Sequence, residues 1–355
     1  MEMLILTINP GSTTTKLGLY NRTTEIKKLN IDHDIKDLKN FARISDQLEF
    51  RYNYILEFLQ KEDIEIKNIA AVVGRGGLLR PIDGGTYRVN EKMKEDLKEA
   101  KRGEHASNLG GLLADLLAKK ADCPAFIVDP VVVDEMQEIA KISGIPELRR
   151  KSILHALNQK AVARKYSEIV NKEYKDINLI VAHLGGGISV GAHKKGKIID
   201  VNNALSGDGP FSPNRSGGVP SYDLFEMCFS GEYEKEEIKK KLIGKGGVAA
   251  YLDTSNMLEV ENRIDQGDEK AQLIFEAMAY QVAKEIGSMA AVLSGNCEVI
   301  ILTGGIAYSD RFVHLIENRV RHFSPVKVFA GEEELEALAA GAYRVLSGIE
   351  KAKNY

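Results

Sequence analysis

Cysteine and proline are scarce in this sequence, and it has no long hydrophobic run. The three cysteines, Cys123, Cys228 and Cys297, lie far apart among 355 residues. They show neither metal-ligand spacing nor a disulfide framework, so we predict a reducing, cytoplasmic environment. The chain also lacks a basic leader and any apolar run of about 18 residues, so neither a secretory signal nor a membrane span is expected.

An excess of charge of one sign is absent as well. The sequence has 48 basic and 51 acidic residues, which gives a net charge of −3. This balance provides no overall basic field for nucleic acid or an anionic membrane, so neither is expected as a partner. A small anionic ligand remains compatible with it, because a local site can be basic when the whole chain is not.

Glycine, in contrast, is plentiful. The chain has 32 glycines against nine prolines, and the glycines form short groups that follow apolar runs. Apolar residues make up 44% and charged residues 28% of the chain, which is ordinary globular usage and excludes a mainly disordered chain. The length exceeds the roughly 100–200 residues of one typical domain, so we expect two domains.

Two segments resemble each other and indicate an internal duplication. One begins at Met3 (MLILTINPGSTTTKLGLY) and the other at Asn178 (NLIVAHLGGGISVGAH). Each consists of an apolar strand, a turn of glycine or small hydroxyl residues, and a second strand. The second strand carries Gly18 in the first segment and Gly191 in the other. The pattern predicts one α/β domain that occurs twice.

The duplication divides the chain into two predicted domains, 1–177 and 178–332. A final helix lies within 333–355 and is expected to break at Gly341. This segment either stays with the second domain or returns to complete the first. Another helix is predicted to open at Pro146, since proline is favoured at the first helical position.

Several short apolar runs end in residues that can bind ligands. Arg75, Asp129 and the pair Gly304–Gly305 each follow such a run. Short apolar runs of this kind are typical of buried central strands. Open α/β sheets bind their ligands at the carboxyl ends of the strands, so we expect these residues to lie near a site.

Two turns are candidate phosphate-binding loops. Residues 9–16 (NPGSTTTK) combine hydroxyl side chains with free backbone amides. Residues 185–187 are three glycines after His183, whose bare amides a phosphate can approach closely. An ordinary hairpin turn is the alternative for the first, and a bulged hairpin for the second. A later turn, 303–307 (TGGIA), would allow close approach of an adenosine group.

Taken in order, these motifs resemble the acetate kinase family, and within it the butyrate kinase branch, of the actin, hexokinase and Hsp70 ATPase superfamily. The resembling segments span nearly the whole chain and include LTINPGSTTTK, VVGRGGLLRPIDGGTYRVN, RGEHASNLGG, HALNQKA, VAHLGGGISVGA, PNRSGGVP and ILTGGIA. The resemblance implies an α/β fold of two duplicated ribonuclease H-like (actin-like ATPase) domains around a central nucleotide cleft. It also implies reversible phosphorylation of short-chain carboxylates to acyl phosphates with ATP/ADP and Mg²⁺, and a homo-oligomer.

The resemblance further assigns roles to single residues. Arg75 matches the acyl-binding arginine and Arg215 the catalytic arginine, while Asp129 and His155 match two further catalytic residues. The residues that match nucleotide-binding positions are Asn9, Ser12, Thr13, Lys16, His183, Gly185, Gly186, Gly187, Asp253, Gly304, Gly305 and Ile306. Those that match magnesium-linked positions are Asn9, Asp129 and Glu333, with the register among Glu332, Glu333 and Glu334 left open.

Each of these assignments has a structural alternative. Arg75 is alternatively a surface arginine in a turn, and Arg215 part of a flexible polar loop. His155 lies in a helical apolar pattern, which also suits a core histidine with satisfied hydrogen bonds. Asp253 or Thr254 is alternatively a helix N-cap.

Other functions on the same fold also stay open. They are an acetate or propionate kinase, a sugar or other metabolite kinase, and a non-enzymatic ATP-dependent clamp. Gly186 stands where acetate kinases carry an asparagine, which favours the butyrate kinase branch. Arg75 and Arg215 suit an anionic acceptor better than a sugar hydroxyl. The preferred acid among propionate, butyrate, isobutyrate and isovalerate is left open.

Overall fold

The computed structural model describes residues 2–355, which divide into two compact units. Unit 1 consists of the residues up to Val133 together with 156–158 and 333–355, and unit 2 consists of 134–155 and 159–332. No helix among the described residues is both long enough and apolar enough to cross a membrane.

Twelve strands are found among residues 2–355. They are β1 (Leu4–Pro10), β2 (Thr14–Asn21), β3 (Thr24–Asp32), β4 (Ile69–Arg75), β5 (Thr86–Arg88), β6 (Ala125–Val128), β7 (Asn178–Leu184), β8 (Ile188–Lys194), β9 (Lys197–Val201), β10 (Val299–Gly304), β11 (Val326–Ala330) and β12 (Lys353–Asn354).

Twelve α-helices accompany these strands in the described chain. They are α1 (Ile35–Leu38), α2 (Leu48–Lys61), α3 (Glu91–Glu99), α4 (Asn108–Ala121), α5 (Ala156–Ile169), α6 (Ser221–Phe229), α7 (Lys235–Leu242), α8 (Val248–Leu252), α9 (Met257–Asp265), α10 (Glu269–Val292), α11 (Asp310–Val320) and α12 (Glu334–Leu346). Short 3₁₀ turns cover Ile44–Gln47, Ile66–Asn68, Glu138–Lys141, Tyr174–Asp176 and Gly305–Tyr308.

The sheet of unit 1 has the strand order β12-β5-β6-β4-β1-β2-β3. Strands β1, β2 and β3 form an antiparallel meander, whereas β4 runs parallel to β1 and β6 runs parallel to β4. The register places Ile8 opposite Gly74 and Gly74 opposite Ile127. The carboxyl ends of β1, β4 and β6 therefore lie at one edge of the sheet.

The sheet of unit 2 repeats this arrangement and confirms the predicted duplication. Its order, β11-β10-β7-β8-β9, corresponds strand for strand to β6-β4-β1-β2-β3. Its first three strands are again an antiparallel meander, and β10 and β11 are parallel to β7. Gly18 pairs with Thr7 in the first hairpin and Gly191 with Val181 in the second. The fold class predicted from the sequence is confirmed.

The central strands β7 and β10 of unit 2 are mostly apolar because both faces of the sheet are covered there. Ile180 and Leu302 face a cluster that contains the inner side of α10, whereas Leu179 and Ile301 face a second cluster that contains Val162 of α5. All four strand side chains are fully buried. Their burial, at about 25 cal/mol per Å², is the dominant contribution to the stability of this layer.

Two helix predictions are wrong in detail. The helix expected from Pro146 begins only at Ala156, since the preceding stretch is irregular and holds Arg150, which pairs with Asp200 of β9. Helix α12 continues through Gly341 instead of breaking there. A Cβ at this glycine would lie 2.5 Å from the Val128 side chain, so glycine serves close packing on β6.

The unit boundaries also differ from the division predicted at residue 178. Residues 134–155 and 159–177 belong to unit 2, because α5 and the segment after it pack on the sheet of that unit. Residues 333–355 pack with unit 1.

Candidate active site

Three side chains meet at the carboxyl edge of the unit 1 sheet. Arg75 ends β4, Asn9 lies near the end of β1, and Glu334 is the first residue of α12. The Nη1 atom of Arg75 lies 2.8 Å and 3.0 Å from the two carboxylate oxygens of Glu334 and 3.3 Å from Asn9 Oδ1. Asn9 Nδ2 also donates to Glu334. The sequence analysis matched Glu333 to a magnesium-linked position and left the register among Glu332, Glu333 and Glu334 open, and the carboxylate in contact with Arg75 is that of Glu334.

Arg75 is held in place by the glycines around it. A Cβ at Gly74 would overlap the backbone carbonyl of Gly110 in α4, and one at Gly77 would overlap Asn108. Strand β4 and the start of α4 can therefore approach each other only because these positions lack a side chain. The glycines around Arg75 thus allow close packing of β4 on α4, and this packing fixes the position of the guanidinium.

Only one edge of the Arg75 guanidinium is occupied. All of its hydrogen bonds to residues 2–355 use Nη1, and its side chain is 23% exposed. The Nε and Nη2 donors remain for a ligand. These two donors form the planar fork that a carboxylate binds in a bidentate manner.

Asp129 follows β6 directly and is almost completely buried. Its backbone has φ 37°, in the left-handed region that aspartate adopts more readily than most residues. Its Oδ1 accepts a hydrogen bond from the backbone N–H of Gly85 at 2.6 Å. The carboxylate is thus held rigidly at the same sheet edge as Arg75.

The hydroxyl-rich turn after β1 is held from below by a residue that the sequence analysis missed. Arg51 of α2 is fully buried, and its guanidinium donates to the carbonyl oxygens of Gly11, Ser12 and Thr14 at 2.7–3.0 Å. It has no carboxylate within ion-pair distance in the described chain. Because the carbonyls turn inward, the exposed face of the turn keeps its hydroxyls and amides.

The remaining predicted residues of this turn are at its surface. Ser12, Thr13 and Lys16 are exposed, and Lys16 on β2 pairs across from Asn9 on β1.

Burial lowers the pKa of Arg51 to about 10, since removal of this cation from water carries a cost in desolvation.

In unit 2, the triple-glycine turn after β7 lies against Arg215. A Cβ at Gly187 would overlap the Arg215 guanidinium, which also donates to the carbonyl of Ala204. Ser212 Oγ donates to the carbonyl of Gly186 at 2.7 Å. Burial lowers the pKa of Arg215, and no carboxylate lies within ion-pair distance of it among residues 2–355. The turn therefore places an uncompensated cation beside bare backbone.

Two predicted histidines form a stacked pair in the same unit. The rings of His155 and His183 lie 3.8 Å apart at an interplanar angle of 12°. His155 Nδ1 is 2.9 Å from Ser189 Oγ, and His183 Nε2 is 3.1 Å from Glu332 Oε1. His155 is the residue that precedes α5 and is not within the helix.

A cavity of about 640 Å³ opens beside the glycine turn of unit 2. Its lining includes Gly185, Gly186, Asn214, Gly305, Ile306 and Glu332. A Cβ at Gly304 would overlap the backbone of Leu184, whereas one at Gly305 would meet nothing within 4 Å. Gly304 therefore permits strand packing, while Gly305 leaves a smooth wall to the cavity.

One buried polar atom in this lining has no hydrogen-bond partner. It is Oδ1 of Asn214, beside Arg215 in the sequence. A buried acceptor without a partner costs about 1–3 kcal/mol, so a donor supplied by a ligand would stabilise this site. The sequence analysis did not name Asn214, although it lies within the PNRSGG motif.

Asp253 is not among the residues that line this cavity. It ends α8 in a left-handed conformation with φ 58°, and it caps no helix N-terminus. The N-cap of α9 is Asn256, so the suggested capping by Asp253 or Thr254 is wrong. Asn256 itself lines the cavity.

The residues that match magnesium-linked positions all carry hard oxygen atoms. The described chain contains no cluster of three or more His, Cys, Asp or Glu residues arranged to hold a metal. Magnesium does not need such a cage, since it keeps several waters and commonly binds through one or two carboxylates plus substrate phosphates. Asn9, Asp129 and Glu334 at the unit 1 edge fit that mode of binding, and Glu333 lies one residue before α12.

Comparison with known proteins assigns this arrangement to a family. The Acetokinase family profile matches residues 139–347. The chain is similar to Butyrate kinase 2 of Clostridium acetobutylicum, with 56% identity over 100% of both chains, and to Butyrate kinase 1 of the same organism, with 55% identity over 99% of both. The crystal structure of Porphyromonas gingivalis acetate kinase has the same fold, with a TM-score of 0.77, 19% identity, and coverage of 98% of this chain and 100% of that one.

Proposed function

Because this chain belongs to the acetokinase family, we propose that it is a kinase that phosphorylates short-chain carboxylic acids with ATP. The acceptor is butyrate or a branched relative, the product is the acyl phosphate, and the reaction runs in both directions. The observation that carries the proposal is the Arg75 guanidinium, fixed through Nη1 by Asn9 and Glu334 with its other donors left for a carboxylate.

The chemistry places two anions against each other. A carboxylate attacks a γ-phosphoryl group that is itself negatively charged, so electrostatic repulsion is a large part of the barrier. In-line transfer spreads charge over the equatorial oxygens and needs little covalent help from the protein. Cationic donors that act by position and charge are therefore the expected catalytic groups, and no strong base is needed for an acid that is already ionised.

The roles of the two arginines follow from their surroundings. Arg75 binds the acid carboxylate through Nε and Nη2, while Glu334 and Asn9 keep its plane fixed. Arg215 donates to the transferring phosphoryl group, and its lack of a carboxylate partner leaves its full charge for that group. His155 adds a hydrogen bond to the same group.

Nucleotide binding is assigned to the cavity of unit 2. The phosphates lie on the amides of Gly186 and Gly187, since the Gly185 amide donates to the Gly187 carbonyl within the turn. The adenosine lies against Gly305 and Ile306. Asn214 Oδ1, which lacks a partner among residues 2–355, accepts a hydrogen bond from the nucleotide. Asn9, Asp129 and Glu334 of unit 1 would hold magnesium through its waters, and the ion would supply positive charge for phosphate oxygens.

The test is a scan of straight and branched acids of two to five carbons with ATP and Mg²⁺, with kcat/KM as the measurement. One methylene in an apolar pocket changes kcat/KM about 10- to 200-fold, so we expect a maximum at four carbons and overlapping activity on the neighbours. ATP turnover with a hexose, and with none of the acids, would contradict the proposal.

A variant connects this scan to the site. Arg75→Ala is expected to raise the KM for the acid with little change in the KM for ATP, because only the acid uses this guanidinium. Arg88→Ala, which removes an exposed arginine of β5 in the same unit, is the matched control. An unchanged KM for the acid in Arg75→Ala would reject the assignment of that arginine.

A further inference from the structure

A chain of hydrogen bonds between buried side chains leads to His155. Tyr174 Oη lies 2.7 Å from His193 Nδ1, and His193 Nε2 lies 2.9 Å from Gln159 Oε1. Gln159 Nε2 lies 2.8 Å from Ser189 Oγ, which is 2.9 Å from His155 Nδ1. His193, Gln159 and Ser189 are fully buried. The positions of the protons in this chain can be worked out from which atoms are able to donate.

The orientation of the Gln159 amide is determined by a backbone carbonyl. Its Nε2 lies 3.0 Å from the carbonyl oxygen of Ser189, which can only accept, so the NH₂ group must face Ser189 and Oε1 must face His193. Since Oε1 can only accept, His193 Nε2 carries the proton and donates to it. His193 Nδ1 then accepts from the hydroxyl of Tyr174.

Ser189 Oγ transmits this order to His155. It accepts a hydrogen from Gln159 Nε2 and faces the backbone N–H of His155 at 3.4 Å. A hydroxyl has one hydrogen to donate, and the acceptor in contact with this one is His155 Nδ1. The Nδ1 atom is therefore an acceptor, and neutral His155 carries its proton on Nε2.

We propose that Ser189, oriented by Gln159 and His193, is a positioning residue that fixes His155 in the Nε2–H tautomer. In that tautomer His155 presents a hydrogen-bond donor at Nε2, the form required to stabilise an anionic phosphoryl oxygen. The opposite tautomer would present a lone pair and repel it. The catalytic consequence rests on the proposed function, whereas the tautomer itself does not.

The first test is spectroscopic and uses the full-length wild-type protein. We would record long-range ¹H–¹⁵N spectra of ¹⁵N-histidine-labelled protein about two pH units above the ordinary imidazole pKa of about 6.5. His155 would be assigned by the signal that is lost in His155→Gln. We expect a pyridine-like Nδ1 and a pyrrole-like Nε2 for His155. The reverse pattern in the wild-type protein would overturn the proposal without the need for any further variant.

The second test is Ser189→Ala, which removes the hydroxyl from His155. A neutral hydrogen bond of about 1 kcal/mol corresponds to roughly a fivefold effect on a tautomer ratio. We therefore expect the alternative His155 tautomer to appear in the spectrum and kcat to fall, by at most about fivefold, in proportion to the lost fraction of the Nε2–H form, with both KM values unchanged. Ser189→Thr, which keeps the hydroxyl, should restore both readouts.

The matched control is Ser167→Ala, which removes another buried serine hydroxyl of the same unit, one that donates to the carbonyl of Arg164. It should change neither the His155 spectrum nor kcat. If Ser189→Ala kept a pure Nε2–H tautomer, or lost activity through the KM values alone, the positioning role would be wrong. If the wild-type protein phosphorylated no carboxylate, the proposed function would fail, and the spectra would still decide the tautomer.

Discussion

The turn after β1 and the turn after β7 occupy the same place in two copies of one sheet, yet they are built from different chemistry. The first is rich in hydroxyls, and the guanidinium of Arg51 holds its carbonyls from inside the unit. The second is three glycines, and its last member leaves space for the guanidinium of Arg215. Each turn thus has one arginine beside it with no carboxylate partner in the described chain.

The two buried arginines, Arg51 and Arg215, use their hydrogen-bond donors differently. Arg51 donates to three backbone carbonyls of its own turn and to the side chains of Thr15 and Gln47. It therefore stabilises the shape of the turn and adds positive potential. The guanidinium of Arg215 makes one hydrogen bond, to the carbonyl of Ala204, and keeps its other donors. The comparison therefore predicts that loss of Arg51 acts on stability and loss of Arg215 acts on chemistry.

The largest expected effect is that of Arg215→Ala. Loss of an arginine that stabilises a transferring phosphoryl group costs about 10³–10⁵ in rate, so we expect this loss of kcat with nucleotide affinity nearly unchanged. Acyl phosphate formation and calorimetric titration with ADP would measure the two quantities. Arg149→Ala, an exposed arginine of the same unit paired with Glu138, is the control. Wild-type turnover in Arg215→Ala would show that the phosphoryl group does not need this side chain.

Arg51→Met tests the other half of the comparison. The variant keeps an apolar stem but leaves the carbonyl oxygens of Gly11 and Ser12 without a donor, whereas the carbonyl of Thr14 keeps the N–H of Gly11. Each buried, unsatisfied group costs about 1–3 kcal/mol, partly offset by removal of a buried charge, so we expect unfolding free energy to fall by about 3 kcal/mol. Urea unfolding would measure it against Arg88→Met, where a change within about 0.5 kcal/mol is expected. Equal stability in the two variants would mean that the turn holds its shape without the guanidinium.

Gly187→Ala and Gly186→Ala form a matched pair within one turn. Neither glycine has a positive φ, so an alanine is compatible with the backbone at both positions. A Cβ at Gly187 would displace Arg215, whereas one at Gly186 would meet only Asn214 Nδ2, at 4.0 Å. A displacement of about 1 Å at a reacting group can cost 10²-fold, so kcat should fall about 100-fold in the first variant and little in the second. If kcat fell equally in both variants, catalysis would depend on the uncovered backbone amides of the turn and not on the space for Arg215.

Much of this architecture could be predicted from the sequence because it depends on local patterns that occur twice. Apolar runs that end in Arg75 or Gly304 can be recognised in the sequence itself. The parallel register that brings the ends of such strands together is a general property of these sheets. Arg51 also left a signal that was not used. It lies three residues after Leu48 and four before Ile55, which places a charge on the apolar face of α2.

Other features depended on distances that a sequence does not contain. The choice between Glu333 and Glu334 depends on where α12 begins, since one residue turns a helical side chain by about 100°. Gly341 looked like a helix breaker but serves close contact with Val128. Ser189 gave no signal at all, because a small polar residue in a strand becomes informative only when its partners are known.

The two units are also expected to respond oppositely to pH. In unit 1, burial, and then the neighbouring Arg51, lower the pKa of His33 to about 4, despite the opposing charge of Asp32. In unit 2, burial, followed by the charges of Asp208 and Asp200, raises the pKa of Glu285 to about 7, despite the opposing charges of Arg150 and Lys284. His33 therefore favours the folded state at high pH, where it is neutral. Glu285 favours the folded state at low pH, where it is protonated.

The smallest predicted effects follow from these two groups. Between pH 7 and pH 5 the unfolded chain binds more protons at His33 than the folded one, so this histidine should cost about 2 kcal/mol of stability as pH falls. As pH falls, Glu285 takes up its proton at a higher pH in the folded chain than in the unfolded chain. It should therefore add a similar amount to the free energy of unfolding. Urea unfolding at both pH values should therefore show little net change from this pair in the wild-type protein. Compared with the wild-type protein, His33→Gln should gain free energy of unfolding as pH falls from 7 to 5, and Glu285→Gln should lose it. If the free energy of unfolding changed with pH in the same direction in both variants, the opposite responses of the two units would be wrong.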